Sequence, residues 1–162
     1  MYGENSCITK IEDAGIKTAY TKFVLEKLPE WFGNKTARDQ YAEETAGLPY
    51  WAVLDENDSC IGFLAVQVHY GHTGEIVVCG ILPECQHQGI GTALFEKAEK
   101  YLIQIGCRYV IVKTLSDIAE YEPYARTRKF YEGIGFEPLI TLTEMWDENN
   151  PCLIMMKCLG KV

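Results

Sequence analysis

The chain has 162 residues, enough for a domain with a buried core, and its 48% hydrophobic and 12% aromatic content is usual for a globular protein. Its net charge of −8 argues against nucleic-acid binding, because affinity for a phosphate backbone depends on clustered Lys and Arg. The sequence shows neither an apolar run of about 18 residues nor a secretory signal, so we expect a cytoplasmic protein without membrane contact.

The first half of the chain predicts a strand, two helices and three further strands. The strand SCITKIED precedes a helix in AGIKTAYTKFVLEKL, whose predicted apolar face consists of Ile16, Ala19, Tyr20, Phe23, Val24 and Leu28. A more polar helix in NKTARDQYAEETAG ends before Pro49. Three strands at 50–54, 60–69 and 75–82 follow, separated by the turn sequences DENDS and GHTG.

The second half predicts a strand, helix and strand in sequence and then a closing hairpin. The helix after Gly91 carries an apolar stripe of Leu94, Ala98, Tyr101, Leu102 and Ile105. The strand RYVIVKTL comes next and should pair in parallel with the strand before the helix. A short helix in PYARTRKFYEGI and two strands, FEPLITLTEMW and CLIMMKCL, complete a single α+β domain, 1–162, with a mixed sheet.

The seven cysteines are odd in number and form no C-x-x-C pair. This spacing argues against both a disulfide framework and a metal site. Most of them lie inside apolar runs such as IVVCGI. We therefore expect buried, reduced thiols, with Cys85 the most exposed, and no bound metal.

A glycine-containing loop, PECQHQGIG, leads into the third helix, and three kinds of anion-binding loop compete for it. A dinucleotide loop would place its glycines directly after the strand, with an acid about 20 residues later, but the region near Ile111 is apolar. A triphosphate loop needs Gly-Lys-Ser or Gly-Lys-Thr, whereas Thr92 follows Gly91. The third pattern, Gln-x-x-Gly-x-Gly, fits Gln86, Gly89 and Gly91. Unpaired N–H groups at a helix start bind phosphate oxygens without cationic side chains.

Together with the segments EIVVCGILP, VIVKTL and RKFYEGIGF, this loop resembles the GCN5-related N-acetyltransferase (GNAT) family over almost the whole chain. The resemblance implies the acyl-CoA N-acyltransferase fold. This fold is a three-layer α/β/α sandwich with a mixed, mostly antiparallel sheet and a splayed pair of parallel strands. It also implies an enzyme that transfers the acetyl group of acetyl-CoA to a primary amine by direct attack on the thioester. The alternative is a module that binds acyl-CoA and senses or regulates without turnover.

The resemblance also assigns residues to acetyl-CoA. The pyrophosphate would lie on the main chain of the loop, at Gln86, His87, Gln88, Gly89, Ile90, Gly91 and Thr92. Pantetheine would follow the third of the three strands, whose end comprises Cys79, Gly80, Ile81 and Leu82. An N–H near Cys79 or Gly80 would polarise the thioester carbonyl. On the last helix the implied contacts are Phe130 and Tyr124, which replaces the family's usual asparagine.

Two side chains are implied in proton transfer. In KFYEGIGF, Tyr131 stands where the family places the proton donor to the departing CoA sulfur, and the alternative is a packing role. Glu75 is the only charge in an apolar strand and stands where a base would remove the amine proton. A solvent-facing position beside the turn is an equal alternative for Glu75. His69 and His72 flank the same turn and could also serve.

The amine substrate is less defined by the sequence. Trp31, Phe32 and Trp146 have acidic neighbours and could form a rim that binds an amine by cation–π contact and charge, or could pack as lids on the core. The acceptor could be a small molecule, such as a polyamine, amino sugar or amino acid, or a protein amine. Members of the family are often dimers, and the closing strands offer an edge for a homodimer.

Overall fold

A computed structural model describes residues 6–160 of the chain. Its helices and strands are, in order, β1 (Cys7–Lys10), α1 (Ala14–Glu26), α2 (Lys35–Thr45), β2 (Tyr50–Leu54), β3 (Cys60–His69), β4 (Thr73–Ile81), α3 (Ile90–Gln104), β5 (Tyr109–Leu115), α4 (Glu122–Gly133), β6 (Glu137–Asp147) and β7 (Asn150–Cys158). The predicted order of helices and strands is thereby confirmed.

The strands form a mixed sheet in the order β1-β2-β3-β4-β5-β7-β6. The pairs β1–β2, β2–β3, β5–β7 and β6–β7 are antiparallel. β4 and β5 are parallel, as predicted, with a register that runs from Thr73–Tyr109 to Ile76–Val112. Both strands continue past this register, β4 to Ile81 and β5 to Leu115. The parallel pair therefore sits at the start of two longer strands.

The chain divides into two compact units. The first consists of the described residues up to Gln67 together with Val77–Leu102, and the second consists of Val68–Ile76 and the described residues from Ile103 onward. The first unit contains α1, α2 and α3 as far as Leu102. The second contains α4 and the strands β5, β6 and β7.

In the first unit, helices cover both faces of β2. The Tyr50 hydroxyl lies 3.0 Å from Thr21 Oγ1 on α1, whereas the next residue, Trp51, packs edge to face on Tyr101 of α3. Successive side chains of a strand point to opposite faces. α1 and α3 therefore lie on opposite sides of the sheet in this unit.

The buried face of α1 differs from the prediction. Ile16, Ala19 and Phe23 are exposed, and the buried positions include Lys17 and Thr21. The reason is a set of long-range hydrogen bonds: Lys17 Nζ donates to the Leu48 carbonyl at 2.6 Å, and Thr21 Oγ1 lies within 3.1 Å of both Thr45 Oγ1 and the Tyr50 hydroxyl. Polar side chains that have such partners can be buried without a large penalty.

The cysteines are free thiols at all seven positions. Cys60, Cys107 and Cys152 are buried as expected, but Cys85 is only half-buried, and Cys7 and Cys158 are the exposed ones. The prediction for Cys85 was wrong: the residue ends the single-turn helix Pro83–Cys85, and partial burial raises the pKa of its thiol.

Gly80 lies where α1 packs closely on the sheet of the first unit. A Cβ at this position would lie 3.0 Å from Val24 Cγ1, 3.1 Å from Leu28 Cδ1 and 3.3 Å from Phe63 Cε1. All three neighbours are buried core residues. Helix packing is thus sufficient to explain a glycine here.

We expect Gly80→Ala to lower the free energy of unfolding by about 1–3 kcal/mol, because three tightly packed core side chains must shift to accept the methyl group. Urea unfolding measures the change. In the background of Val24→Ala, which removes the nearest carbon, the added cost of Gly80→Ala should shrink by at least half. An equal cost in both backgrounds would contradict overpacking as the cause.

The second unit is built on the β5–β7–β6 ladder. α4 is attached to the end of β5 by a hydrogen bond from Arg128 Nη1 to the Leu115 carbonyl at 2.8 Å. β6 ends the sheet order, and its large apolar side chains at Leu139, Ile140, Met145 and Trp146 are exposed. None of the helices within residues 6–160 has the length and apolar character needed to cross a membrane.

Candidate active site

The glycine-containing loop of the first unit forms a tight turn before α3. His87 and Gly89 both have positive φ angles, 62° and 84°. Glycine adopts this conformation freely, whereas an L-residue such as His87 does so with strain. Strain of this kind is often found where a loop must present its main chain to a ligand.

The turn leaves the first N–H groups of α3 without carbonyl acceptors in the helix. The first intrahelical bond runs from the Ala93 amide to the Gly89 carbonyl at 3.1 Å, so the amides of Ile90, Gly91 and Thr92 come before it. Such amides carry the positive end of the helix dipole. The main chain of the loop is therefore suited to binding an anion, and the binding of acetyl-CoA at this loop stays a prediction.

Two glutamine side chains hold the loop in place. Gln86 Nε2 donates to the Ile81 carbonyl at 3.0 Å, and Gln88 Nε2 donates to the Glu84 carbonyl at 3.2 Å. Each amide nitrogen uses one of its two hydrogens within the protein, and the main-chain groups at both positions are the predicted phosphate contacts. His87, Gly89 and Thr92 are exposed, whereas Ile90 and Gly91 are buried.

The end of β4 carries the other residues predicted for acetyl-CoA in this unit. The Leu82 amide donates to the Ile61 carbonyl at 2.9 Å, and the Ile81 carbonyl accepts from Gln86. Both groups are therefore occupied by protein partners. Burial raises the pKa of the Cys79 thiol to about 12, so this thiol stays protonated at neutral pH and is a poor nucleophile.

In the second unit, Glu75 lies between two nitrogen donors. Its Oε1 is 2.8 Å from His69 Nε2, and its Oε2 is 3.5 Å from Lys113 Nζ. We call these three residues the Glu75 cluster. The Glu75 side chain is 11% exposed and the His69 side chain 36%. The alternative of a solvent-facing Glu75 was therefore wrong.

Lys113 was not selected from the sequence, although a signal was present. It is the one charged residue of the strand YVIVKTL, and the parallel register pairs Glu75 with Ile111, two residues before Lys113. Residues two apart on a strand share a face. Once the parallel pairing is predicted, the opposite charges of Glu75 and Lys113 indicate their contact.

Tyr131 lies on α4 in the second unit. It is buried, with its ring 5.3 Å from that of Phe130 and 5.4 Å from that of Phe136. Tyr124 lies in the first turn of the same helix, and its ring is 6.0 Å from that of Tyr121. Tyr131, Phe130 and Tyr124 thus all belong to α4.

The three aromatic residues predicted for the amine belong to different units. Trp31 and Phe32 follow α1, both half-buried, and the Phe32 ring packs edge to face on Tyr41 at 5.9 Å. Trp146 lies near the end of β6 and is exposed. Trp31 and Phe32 are adjacent in the first unit, and Trp146 is separate in the second.

Comparison with known proteins identifies the class to which this fold and loop belong. The Acetyltransferase (GNAT) family model matches residues 17–136, and the chain is therefore a member of the GNAT acetyltransferase family.

Individual relatives are more distant. An uncharacterized N-acetyltransferase of Methanocaldococcus jannaschii is 25% identical over 107 residues, and the match spans 65% of this chain and 64% of that protein. A GNAT-family protein from Desulfovibrio desulfuricans has the same fold, with a TM-score of 0.82, 17% identity, and coverage of 96% of this chain and 99% of that one. An aminoglycoside 6'-N-acetyltransferase complexed with coenzyme A shares the fold with a TM-score of 0.78, 18% identity, and coverage of 96% and 98%.

Proposed function

We propose that this protein transfers the acetyl group of acetyl-CoA to a primary amine. The observation that carries the proposal is the loop before α3, where the amides of Ile90, Gly91 and Thr92 precede the first helical hydrogen bond, in a segment that the family model matches. Amides at a helix start suit a pyrophosphate even in a protein with a net charge of −8. Acetyl-CoA would supply an activated acyl thioester at this site.

The main chain of residues 86–92 would hold the pyrophosphate. The side chains of Gln86 and Gln88 would keep the loop in its conformation through their hydrogen bonds to main-chain carbonyls. An N–H near Cys79 or Gly80 would polarise the thioester carbonyl. Preorganised main-chain donors of this kind are worth about 10²- to 10³-fold in rate. The protonated Cys79 thiol supports direct attack by the amine rather than transfer through an acylated cysteine.

Two proton transfers complete the reaction. The attacking nitrogen must lose a proton to become nucleophilic, and the departing thiolate must gain one. We propose Tyr131 as the donor to the thiolate, and we assign removal of the ammonium proton to the Glu75 cluster. Tyr124 and Phe130 are proposed as acetyl-CoA contacts, because α4 presents them together with Tyr131.

The acceptor we propose is a cationic primary amine of a small molecule or a protein. The net charge of −8 supports a cationic partner over a nucleic acid. Trp31, Phe32 and Trp146 are proposed to contact this amine, through cation–π attraction. Aminoglycosides are included among the candidates because a protein of the same fold is an aminoglycoside 6'-N-acetyltransferase.

We also propose the domain organisation, the cellular location and the oligomeric state. Residues 1–162 act as one acetyltransferase domain, since the family match over 17–136 includes residues of both units. The protein works in the cytoplasm, because its seven free cysteines suit a reducing compartment. A homodimer through β6 would cover its exposed apolar side chains, and sedimentation at micromolar concentration would test that assembly.

Thermal unfolding with acetyl-CoA, NADH or ATP tests the proposed function. At about 100 times its Kd, acetyl-CoA should stabilise the protein by about 2.7 kcal/mol, which raises Tm by about 5–10 °C. Release of free CoA thiol is then measured with spermidine, kanamycin and a peptide with a free N-terminus. A Tm shift with NADH or ATP but none with acetyl-CoA would contradict the assignment.

A further inference from the structure

The two carboxylate oxygens of Glu75 are both in contact with nitrogen donors. Oε1 is 2.8 Å from His69 Nε2 and Oε2 is 3.5 Å from Lys113 Nζ, and the side chain is 11% exposed. A carboxylate in this arrangement has little room to approach a substrate amine directly. The neighbouring imidazole is the more accessible member of the cluster, with 36% of its side chain exposed.

The contact with Glu75 also determines which ring nitrogen of His69 is basic. A carboxylate only accepts hydrogen bonds, so Nε2 must carry the hydrogen that it donates to Oε1. In a neutral imidazole the other nitrogen, Nδ1, then holds the lone pair and can accept a proton. The cluster thus contains a histidine oriented by a carboxylate, as in enzymes whose histidine is a general base.

Resting on the proposed function, we infer that His69 is the catalytic base and that Glu75 is a positioning residue. His69 Nδ1 takes a proton from the ammonium group of the acceptor, so an N–H bond of the substrate breaks and an Nδ1–H bond forms. The positive charge moves from the substrate to the imidazolium, which the Glu75 carboxylate stabilises. The neutral amine that remains is the nucleophile.

The titratable and charged groups in and around the Glu75 cluster come from three strands. Glu75 lies on β4, Lys113 on the adjacent β5, and the buried Cys152 thiol on β7, where it interacts with the charges of both. Burial raises the pKa of Cys152, so it stays neutral between pH 5 and 8.

The test compares His69→Gln with the wild-type protein, using the best acceptor among spermidine, kanamycin and the peptide. Glutamine can still donate to Glu75 but cannot take a proton. The kcat values of wild type and variant are measured at saturating acceptor from pH 5 to 8.5. In the variant the bound ammonium must lose its proton to solvent, so kcat should keep rising toward the pKa of an amine, about 10, whereas a base within the protein lets kcat level off at lower pH. We expect the wild type to be about 100-fold faster at pH 7 and this ratio to shrink as the pH rises.

His72→Gln is the matched control, since His72 flanks the same turn and contacts Thr73 Oγ1 rather than a carboxylate. Its ratio should stay near 1 at every pH. Glu75→Gln keeps a hydrogen-bond acceptor but loses the charge, so it should lower kcat about tenfold with acetyl-CoA affinity unchanged. This variant tests the inference even if His69→Gln does not fold.

Two results would overturn the assignment of His69. One is a folded His69→Gln protein with wild-type kcat, and the other is a rate ratio that does not vary with pH, which indicates a structural role. Absence of turnover by the wild-type protein with all three acceptors is a different outcome. It would contradict the proposed function and with it this assignment. The Tm shift with acetyl-CoA would then show whether the protein still binds the cofactor.

Discussion

Replacing Tyr131 with Phe is expected to lower kcat about 100- to 1000-fold while acetyl-CoA affinity stays within about twofold. The phenol ring packs on Phe130 and Phe136, and Phe preserves this packing. Only the hydroxyl is lost, and with it the proposed proton donor to the CoA thiolate. General acids contribute about 10²- to 10⁴-fold. Steady-state kinetics gives kcat, and calorimetry gives the acetyl-CoA Kd.

Tyr101→Phe is the control for this experiment, since Tyr101 packs on Trp51 in the first unit and has no proposed part in the reaction. It should retain wild-type kcat. A Tyr131→Phe protein that turns over normally would leave Tyr131 with the packing role alone. If its Kd for acetyl-CoA rises along with the loss of kcat, the hydroxyl acts in binding rather than in proton transfer.

Replacing Gly89 with Ala is expected to raise the acetyl-CoA Kd about tenfold and to lower the free energy of unfolding by about 1–2 kcal/mol. The φ angle of 84° is accessible to glycine but costs an L-residue about this much. To relieve that strain, the backbone at residue 89 must rotate toward a negative φ. This rotation moves the amides of Ile90, Gly91 and Thr92 away from a bound pyrophosphate. A tenfold change in Kd corresponds to about 1.4 kcal/mol.

Alanine variants of two other glycines distinguish the effect of backbone strain from an effect on ligand binding. At Gly47, Gly89 and Gly106, an added Cβ would meet no heavy atom of the described residues within 4 Å, so sterics do not distinguish them. Gly106 has a φ of 95°, so Gly106→Ala should lose stability but keep the acetyl-CoA Kd. Gly47, which has no such φ, should tolerate Ala in both measurements. Equal Kd values for all three variants would contradict a phosphate-binding role for the loop.

Much of the fold could be predicted from the sequence because its patterns are local. Turn sequences such as DENDS and GHTG separate the strands, and the strand, helix and strand around α3 correctly indicated a parallel pair. The apolar stripe of α3 is buried at Leu94, Ala98 and Leu102, although Ile105 lies beyond the helix end and is exposed.

The buried face of α1 could not be predicted, because it depends on partners distant in sequence. Thr21 is buried through Thr45 and Tyr50, and Lys17 through the Leu48 carbonyl. Neither residue belonged to the predicted apolar face of the helix. The environment of Glu75 has the same origin, since one of its two partners, Lys113, belongs to a strand on the far side of α3 in the sequence.

For the candidate site, the sequence indicated the loop and its main-chain amides, because helix-start glycines are a local feature. It did not show that Gln86 and Gln88 use their side chains to hold the loop, which needs the positions of the Ile81 and Glu84 carbonyls. The roles of Tyr131, Glu75 and the three aromatic residues stay predictions. They depend on where the two substrates bind.

The exposed strand β6 has a consequence for how this protein can change over evolutionary time. It lies last in the sheet order, and most of its side chains face solvent, so substitutions along it remove little buried apolar area. Trp146, a proposed contact for the amine, lies on this strand. If Trp146 contacts the amine as proposed, substitutions in β6 would change acceptor preference while the core of the second unit and the loop before α3 stay intact.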